Sequence, residues 1–195
     1  LVGSEMCIET DIDHTIYTGR PADTTSRLPK EIRTYDLLDS LGIAYARADH
    51  DTLSTMEACQ EVGNLLGIEI CKNLFLRNTQ KTAFYLLILP GRKKFKTAAL
   101  SKQIGSARLS FAEPEFMEQY LNITPGSVSV LGLMNDPENK VRLLIDKDIL
   151  KNHPYFGCHP CINTSSLKFR TEDLLNKILP AIHHDYTMVD LPYAE

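Results

Sequence analysis

The densest chemistry in the chain lies in one short run, Phe156-Gly157-Cys158-His159-Pro160-Cys161-Ile162-Asn163-Thr164-Ser165-Ser166. Glycine opens backbone angles closed to other residues, and proline fixes its own φ and restrains its predecessor. Such a loop can aim main-chain N–H and C=O groups at a ligand, or it can be a tight turn between strands. Cys158 and Cys161 also match a C-x-x-C pattern. A redox dithiol wants its first thiol at a helix N-terminus, and residues 162–167 do not read as a helix. A zinc site would need about four N or S ligands, and no second C-x-x-C is present to complete one.

Two further groups could meet an anion. Lys72 and Asn73 stand at the entrance to an apolar strand, a mobile cation beside an adjustable donor and acceptor. Arg92, Lys93, Lys94 and Lys96 cluster after another strand. They could touch a few phosphates or form a solvated turn. The sequence has no P-loop, no dinucleotide glycine fingerprint, no H-E-x-x-H and no G-x-S-x-G elbow.

These residues need a scaffold. Leu28, Ile32, Tyr35, Leu38 and Leu41 share a helical face, with Pro29 at the first position and Gly42 as the stop. Residues 43–48 read as a short strand. Ser54 and Glu57 suit a capping box for a helix closed by Gly67. Residues 74–76 and 83–89 read as adjacent strands around a polar turn. Thr97 suits the cap of a short helix through Ile104, and Pro114 opens a further helix pattern to Leu121. Residues 128–133 and 141–145 bracket a turn and predict a hairpin. Thr171 is the expected cap of a last helix, and residues 186–189 suit an edge strand. Helices and strands interleave. The expected class is therefore α/β of the mixed α+β kind, one domain with a central, largely antiparallel mixed sheet flanked by helices. Residues 1–27 are set apart as an N-terminal extension, partly an expression remnant, from a domain over 28–195 with a tail from about 183.

Composition narrows the classes. The 195 residues are 43% hydrophobic and 24% charged, with a formal charge of -4. A broad basic face for long nucleic acid, DNA included, is not expected. The longest apolar run, 83–89, falls well short of the ~20 residues that span a bilayer. Five cysteines and an acidic, non-apolar start predict a reducing, cytoplasmic setting.

Gly157-Cys158-His159-Pro160 followed by Asn163-Thr164 resembles the Gly-x-His-Pro loop of the YbaK/ProX family of aminoacyl-tRNA editing domains. Lys72-Asn73-Leu74-Phe75-Leu76 is similar to that family's lysine-bearing strand, and His50, the helix start at Thr55 and the 125–128 segment follow its order. The likeness runs from about 28 to 182 and points to the free-standing prolyl-tRNA editing branch. It implies substrate-assisted hydrolysis of a mischarged 3′-aminoacyl ester, alanine on proline tRNA, in which backbone groups and the terminal ribose hydroxyl help place the water, without side-chain nucleophile, metal or cofactor. It implies catalytic parts for Lys72, Gly157 and His159. Asn73, Cys158, Pro160, Asn163, Thr164, His50 and Thr55 would bind substrate, and Arg92, Lys93, Lys94 and Lys96 would meet tRNA phosphates. The partner is the tRNA acceptor end, with prolyl-tRNA synthetase or an elongation factor in transient contact. The alternatives are a non-catalytic binding module of the same fold and a thiol-redox protein through Cys158 and Cys161.

Overall fold

The computed structural model describes residues 10–193. The class is the mixed α/β one expected, but the strands form two sheets rather than one. Strand β1 (Tyr17–Thr18) leads to helix α1 (Pro29–Ser40), β2 (Ala46–Asp49), α2 (Met56–Leu66), β3 (Cys71–Asn78) and β4 (Phe84–Pro90). Helix α3 (Thr97–Ile104), β5 (Leu109–Phe111) and α4 (Pro114–Leu121) follow. A 3-10 turn (Val130–Asn135) precedes β6 (Val141–Asp146), α5 (Lys147–Asn152), β7 (Tyr155–Cys158) and β8 (Ser165–Arg170). A last helix, α6 over 171–181, and β9 (Tyr186–Val189) complete the chain.

The smaller sheet runs β1-β2-β8-β7 and is antiparallel throughout. The larger runs β5-β3-β4-β6-β9, antiparallel at β5-β3-β4 and parallel at β4-β6-β9. The main core joins them. Phe156, Leu167 and Phe169 of the smaller sheet pack in one cluster with Phe75, Leu86, Ile88 and Ile145 of the larger, and Tyr35 and Leu38 of α1 complete it. The far face of the larger sheet, with Leu76, Leu87 and Leu89, is covered by Leu100 of α3. Strand β4 is buried at every position, which is why its sequence is apolar without alternation. The far face of the smaller sheet packs Ala48 against Val62 and Leu66 of α2, where Ile12 joins from the chain's start.

Several local expectations change. Thr55, not Ser54, caps α2 by accepting from Ala58 N at 3.1 Å. Thr97 does not cap α3, and its hydroxyl bonds the backbone of Leu109. The 128–145 hairpin does not form. Ser129 caps a 3-10 turn instead, and a Cβ at Gly132 would lie 2.5 Å from Ile123 Cδ1, so this stretch packs onto the end of α4. The Asp136 carboxylate accepts from Lys140 N and Val141 N and redirects the chain into β6. Thr171 is the first residue of α6 rather than its cap, and its hydroxyl donates to the His153 carbonyl. The centre of α6, Leu174–Ile178, is π-wound just before Pro180, which has no N–H to offer.

Lys93 is the largest departure from the expected solvated turn. It is 1% exposed, and its ammonium lies 3.1 Å from Asp146, 3.4 Å from Asp148 and 3.0 Å from Asp190. Leu191 N donates to the same Asp146 carboxylate, and Lys94 N donates to the Pro192 carbonyl. The basic turn and the chain's end are thereby buttoned together, and Lys93 is withdrawn from any phosphate. Removing the cation from a buried ion cluster leaves its carboxylates under-compensated, at a cost of about 3–5 kcal/mol, although Asp190 keeps Lys147 at 3.0 Å. Asp190 is half-exposed, which moves Lys93→Ala toward the lower end of that range. Urea unfolding of the variant should show the loss, and an unchanged midpoint would contradict this packing.

Candidate active site

Two concavities meet where β2 ends and the 159–164 loop begins. The smaller has a volume of about 110 Å³. Its apolar walls come from Leu53, Val62, Leu66 and Ile68, and its polar groups from Asn73, His159 and Ser166. Gly157, Cys158, Cys71 and Cys59 complete it. The larger is an open cleft of about 640 Å³ lined by His50, Asp49, Asp51, Arg27, Asn163 and Thr164 among others.

Strand alternation decides which residues of β3 reach the cavity. Side chains on a strand point alternately to opposite faces. Cys71, Asn73 and Phe75 share one face and Lys72, Leu74 and Leu76 the other. Asn73 therefore enters the cavity and Lys72 does not. The Lys72 ammonium donates instead to the Lys93 carbonyl at 2.8 Å. Of the two roles expected for Lys72, holding the terminal phosphate or the ester oxygen, this geometry favours the first.

Asn73 Oδ1 is buried and has no hydrogen-bond partner. An orphaned buried acceptor costs about 1–3 kcal/mol, and such groups call for an explanation. Here the explanation is the cavity it faces, which leaves it ready for a donor from a ligand.

His159 supplies a second acceptor. Its Nδ1 lies 2.8 Å from the Ser165 carbonyl. A carbonyl only accepts, so Nδ1 carries the proton and Nε2 is left with its lone pair. Burial pushes the ring's pKa below the usual histidine value, with the His50 charge a smaller push the same way, against the opposing pull of that carbonyl. His50 lies 6.0 Å away, edge to face, and burial also lowers its pKa. Both imidazoles are held neutral.

The loop is anchored at each end. Asn163 Oδ1 accepts from Leu53 N at 3.3 Å, tying the loop to the start of α2. Cys161 takes a left-handed φ of +63°, unusual for a side-chain-bearing residue, and is fully buried. Gly157 sits under Ile68, where a Cβ would lie 2.1 Å from Ile68 Cδ1.

The other expected site residues scatter. Thr55 is engaged as a helix cap and Pro160 is buried away from both concavities. Thr164 and Asn163 line the cleft, not the cavity. Arg92 leans on Glu69 at 3.6 Å, while Lys94 and Lys96 are exposed. The thiols lack the setting that a redox pair needs. Burial raises the Cys158 pKa well above an ordinary thiol, and pushes Cys161 up to about 12. Cys158 ends a strand rather than starting a helix. Among the described residues, no group of three or more His, Cys, Asp or Glu side chains is placed to hold a metal ion. Ser166, Cys71 and Cys59 were missed as cavity residues. Only the Ser-Ser run beside the loop hinted at the first.

Residues 50–177 match the family described as the aminoacyl-tRNA editing domain. The chain belongs to that family. It is an aminoacyl-tRNA deacylase, a hydrolase whose substrate is mischarged tRNA. It is 32% identical over 154 residues to the prolyl-tRNA editing protein ProX of Acetoanaerobium sticklandii, spanning 79% of this chain and 93% of that one. It is 28% identical over 150 residues to prolyl-tRNA synthetase associated domain-containing protein 1 of Danio rerio, spanning 76% and 79%. A crystal structure of a protein proposed as a trans-editing enzyme for prolyl-tRNA synthetase superposes with a TM-score of 0.59 over 86% of this chain and 99% of that one. At 16% identity, that likeness concerns the fold.

Two outcomes follow from this geometry. Gly157→Ala must displace Ile68 Cδ1, the free end of a cavity-wall side chain, at a cost near the low end of the ~1–3 kcal/mol of overpacking. A urea titration should find that loss together with weaker activity. The neutral His159 gives a pH effect with a definite sign. Its folded pKa lies below the unfolded one, so the unfolded chain binds more protons as pH falls through about 6.5. Stability should drop between pH 7.5 and 5.5, and drop less in His159→Gln.

Proposed function

We propose that this deacylase removes alanine from proline tRNA. The observation that carries the reading is the unpaired Asn73 Oδ1 inside a cavity of about 110 Å³. An aminoacyl ester carries an α-ammonium, all donors and no acceptor. Asn73 Oδ1 and His159 Nε2 are acceptors that match it, and the apolar wall of Val62, Leu66 and Ile68 matches a small side chain. Its apolar walls seat a small side chain such as the methyl of alanine. Rejection of the bulkier proline ring would be steric, which discriminates more sharply than the ~1–3 kcal/mol that a methylene adds to binding. The names of the bacterial and fish relatives support proline tRNA as the carrier.

Lys72 acts outside the cavity in this account. It stands on the opposite pleat from Asn73, and one of its three N–H donors is engaged with Lys93. The remaining donors serve a phosphate near the 3′ end of the tRNA rather than the ester. Arg92, Lys94 and Lys96 extend this positive edge, and Lys93 holds the turn from beneath. The setting is cytoplasmic, with the synthetase or an elongation factor as transient neighbours.

Deacylation of alanyl- and prolyl-tRNA(Pro) tests the reading. The alanyl ester should be lost quickly and the prolyl ester spared. Asn73→Ala should lower kcat/KM for the alanyl ester by about tenfold to a hundredfold, the worth of a hydrogen bond to a charged group. Lys72→Ala should raise KM more than it lowers kcat. Equal hydrolysis of both esters, or an Asn73→Ala variant as fast as wild type, would overturn the assignment.

A further inference from the structure

Ser166 and His50 form a hydroxyl–imidazole pair across the wall between the two concavities. Ser166 lines the small cavity and His50 the large cleft. Both are buried, 9% and 7% exposed. His50 Nδ1 lies 2.8 Å from the Asp51 carbonyl, which only accepts, so this nitrogen carries the proton. His50 Nε2 must then accept, and it lies 2.9 Å from Ser166 Oγ. The Ser166 hydroxyl therefore donates to His50, and its oxygen keeps lone pairs for a water or a leaving oxygen in the cavity. The backbone makes this pairing stiff. Ser166 stands opposite Ala48 in the β2–β8 register, and His50 N donates to the Thr164 carbonyl.

We propose that Ser166 carries the proton in ester hydrolysis and that His50 is its positioning and storing partner. This rests on the editing reading above. Water oxygen bonds to the ester carbonyl carbon. One water proton passes to Ser166 Oγ as the Ser166 proton passes to His50 Nε2. The bond from carbon to the ribose 3′-oxygen breaks, and the proton returns from His50 through Ser166 to that oxygen. The products are the free amino acid and a tRNA 3′-hydroxyl, and the pair ends as it began. A relay of this kind is worth about 10²–10⁴ in rate. The pair differs from a serine nucleophile in that no bond from Ser166 to carbon forms.

The test compares wild type, Ser166→Ala, Ser166→Thr and His50→Gln on alanyl-tRNA(Pro). Ser166→Ala and His50→Gln should lower kcat by about a hundredfold or more, with KM held within about twofold. Ser166→Thr keeps the hydroxyl and should recover most of the rate. No acyl-enzyme should be trapped by acid quench. Three results would each overturn the proposal with the editing reading intact: Ser166→Ala near wild-type rate, a loss that Thr does not recover, or an acyl group captured on Ser166. Failure of wild type to hydrolyse any mischarged ester would overturn the reading and this inference with it.

Discussion

The site depends on the register of β8 between β2 and β7. Ser166 is opposite Ala48 and Lys168 is opposite Gly157, so three stretches of backbone distant in sequence are fixed side by side. A slip of one residue would turn Ser166 toward the main core and Leu167 toward the cavity, because alternate residues face opposite ways. The register is protected by what each face buries. Leu167 and Phe169 fill the core between the sheets, while Lys168 reaches back to the Leu66 carbonyl at 2.8 Å. His50, one residue past β2, takes its place from the same pairing.

The second constraint is polarity in a dry space. Around the small cavity, burial lowers the His159 pKa and raises those of Cys71 and Cys158, and the Asn73 amide oxygen has no partner. Charges are kept just outside that cavity. Arg27, Arg47 and Asp49 form a tight network beside His50, and there burial opposes ionisation, but hydrogen bonds from both arginines and Ser165 win, holding Asp49 at about 2. That separation suits a substrate that brings its own cation. An internal carboxylate in the cavity would bind the ammonium harder but would also raise the barrier to negative charge developing at the ester.

Much of this could be read from residue order, and the parts that could not share a cause. Helices α1 and α4 announce themselves through proline at the first turn, and α1 also through a periodic apolar face, because those signals are local. Gly157, Cys158 and His159 of the Gly-x-His-Pro loop and Asn73, all singled out from sequence, line the cavity together. Lys93 looked solvated because its partners, Asp146, Asp148 and Asp190, lie more than fifty residues away. Lys72 and Asn73 are neighbours in sequence but stand on opposite pleats of β3, a separation that adjacency hides. The His50–Ser166 pair spans 116 positions and leaves no spacing to recognise. The apolar run at 128–133 mimicked a strand, and only packing against α4 turns it into a 3-10 turn.

The central claim is that the cavity selects a small aminoacyl ammonium through Asn73 and His159. The most direct measurement is NMR of the side-chain nitrogens of both residues. The probes are stable adenosine analogues bearing alanine or proline in 3′-amide linkage. The account predicts that the alanyl analogue shifts the Asn73 amide and His159 Nε2 signals together, and that the prolyl analogue leaves both in place. Equal shifts with the two analogues, or binding that moves neither residue, would contradict it.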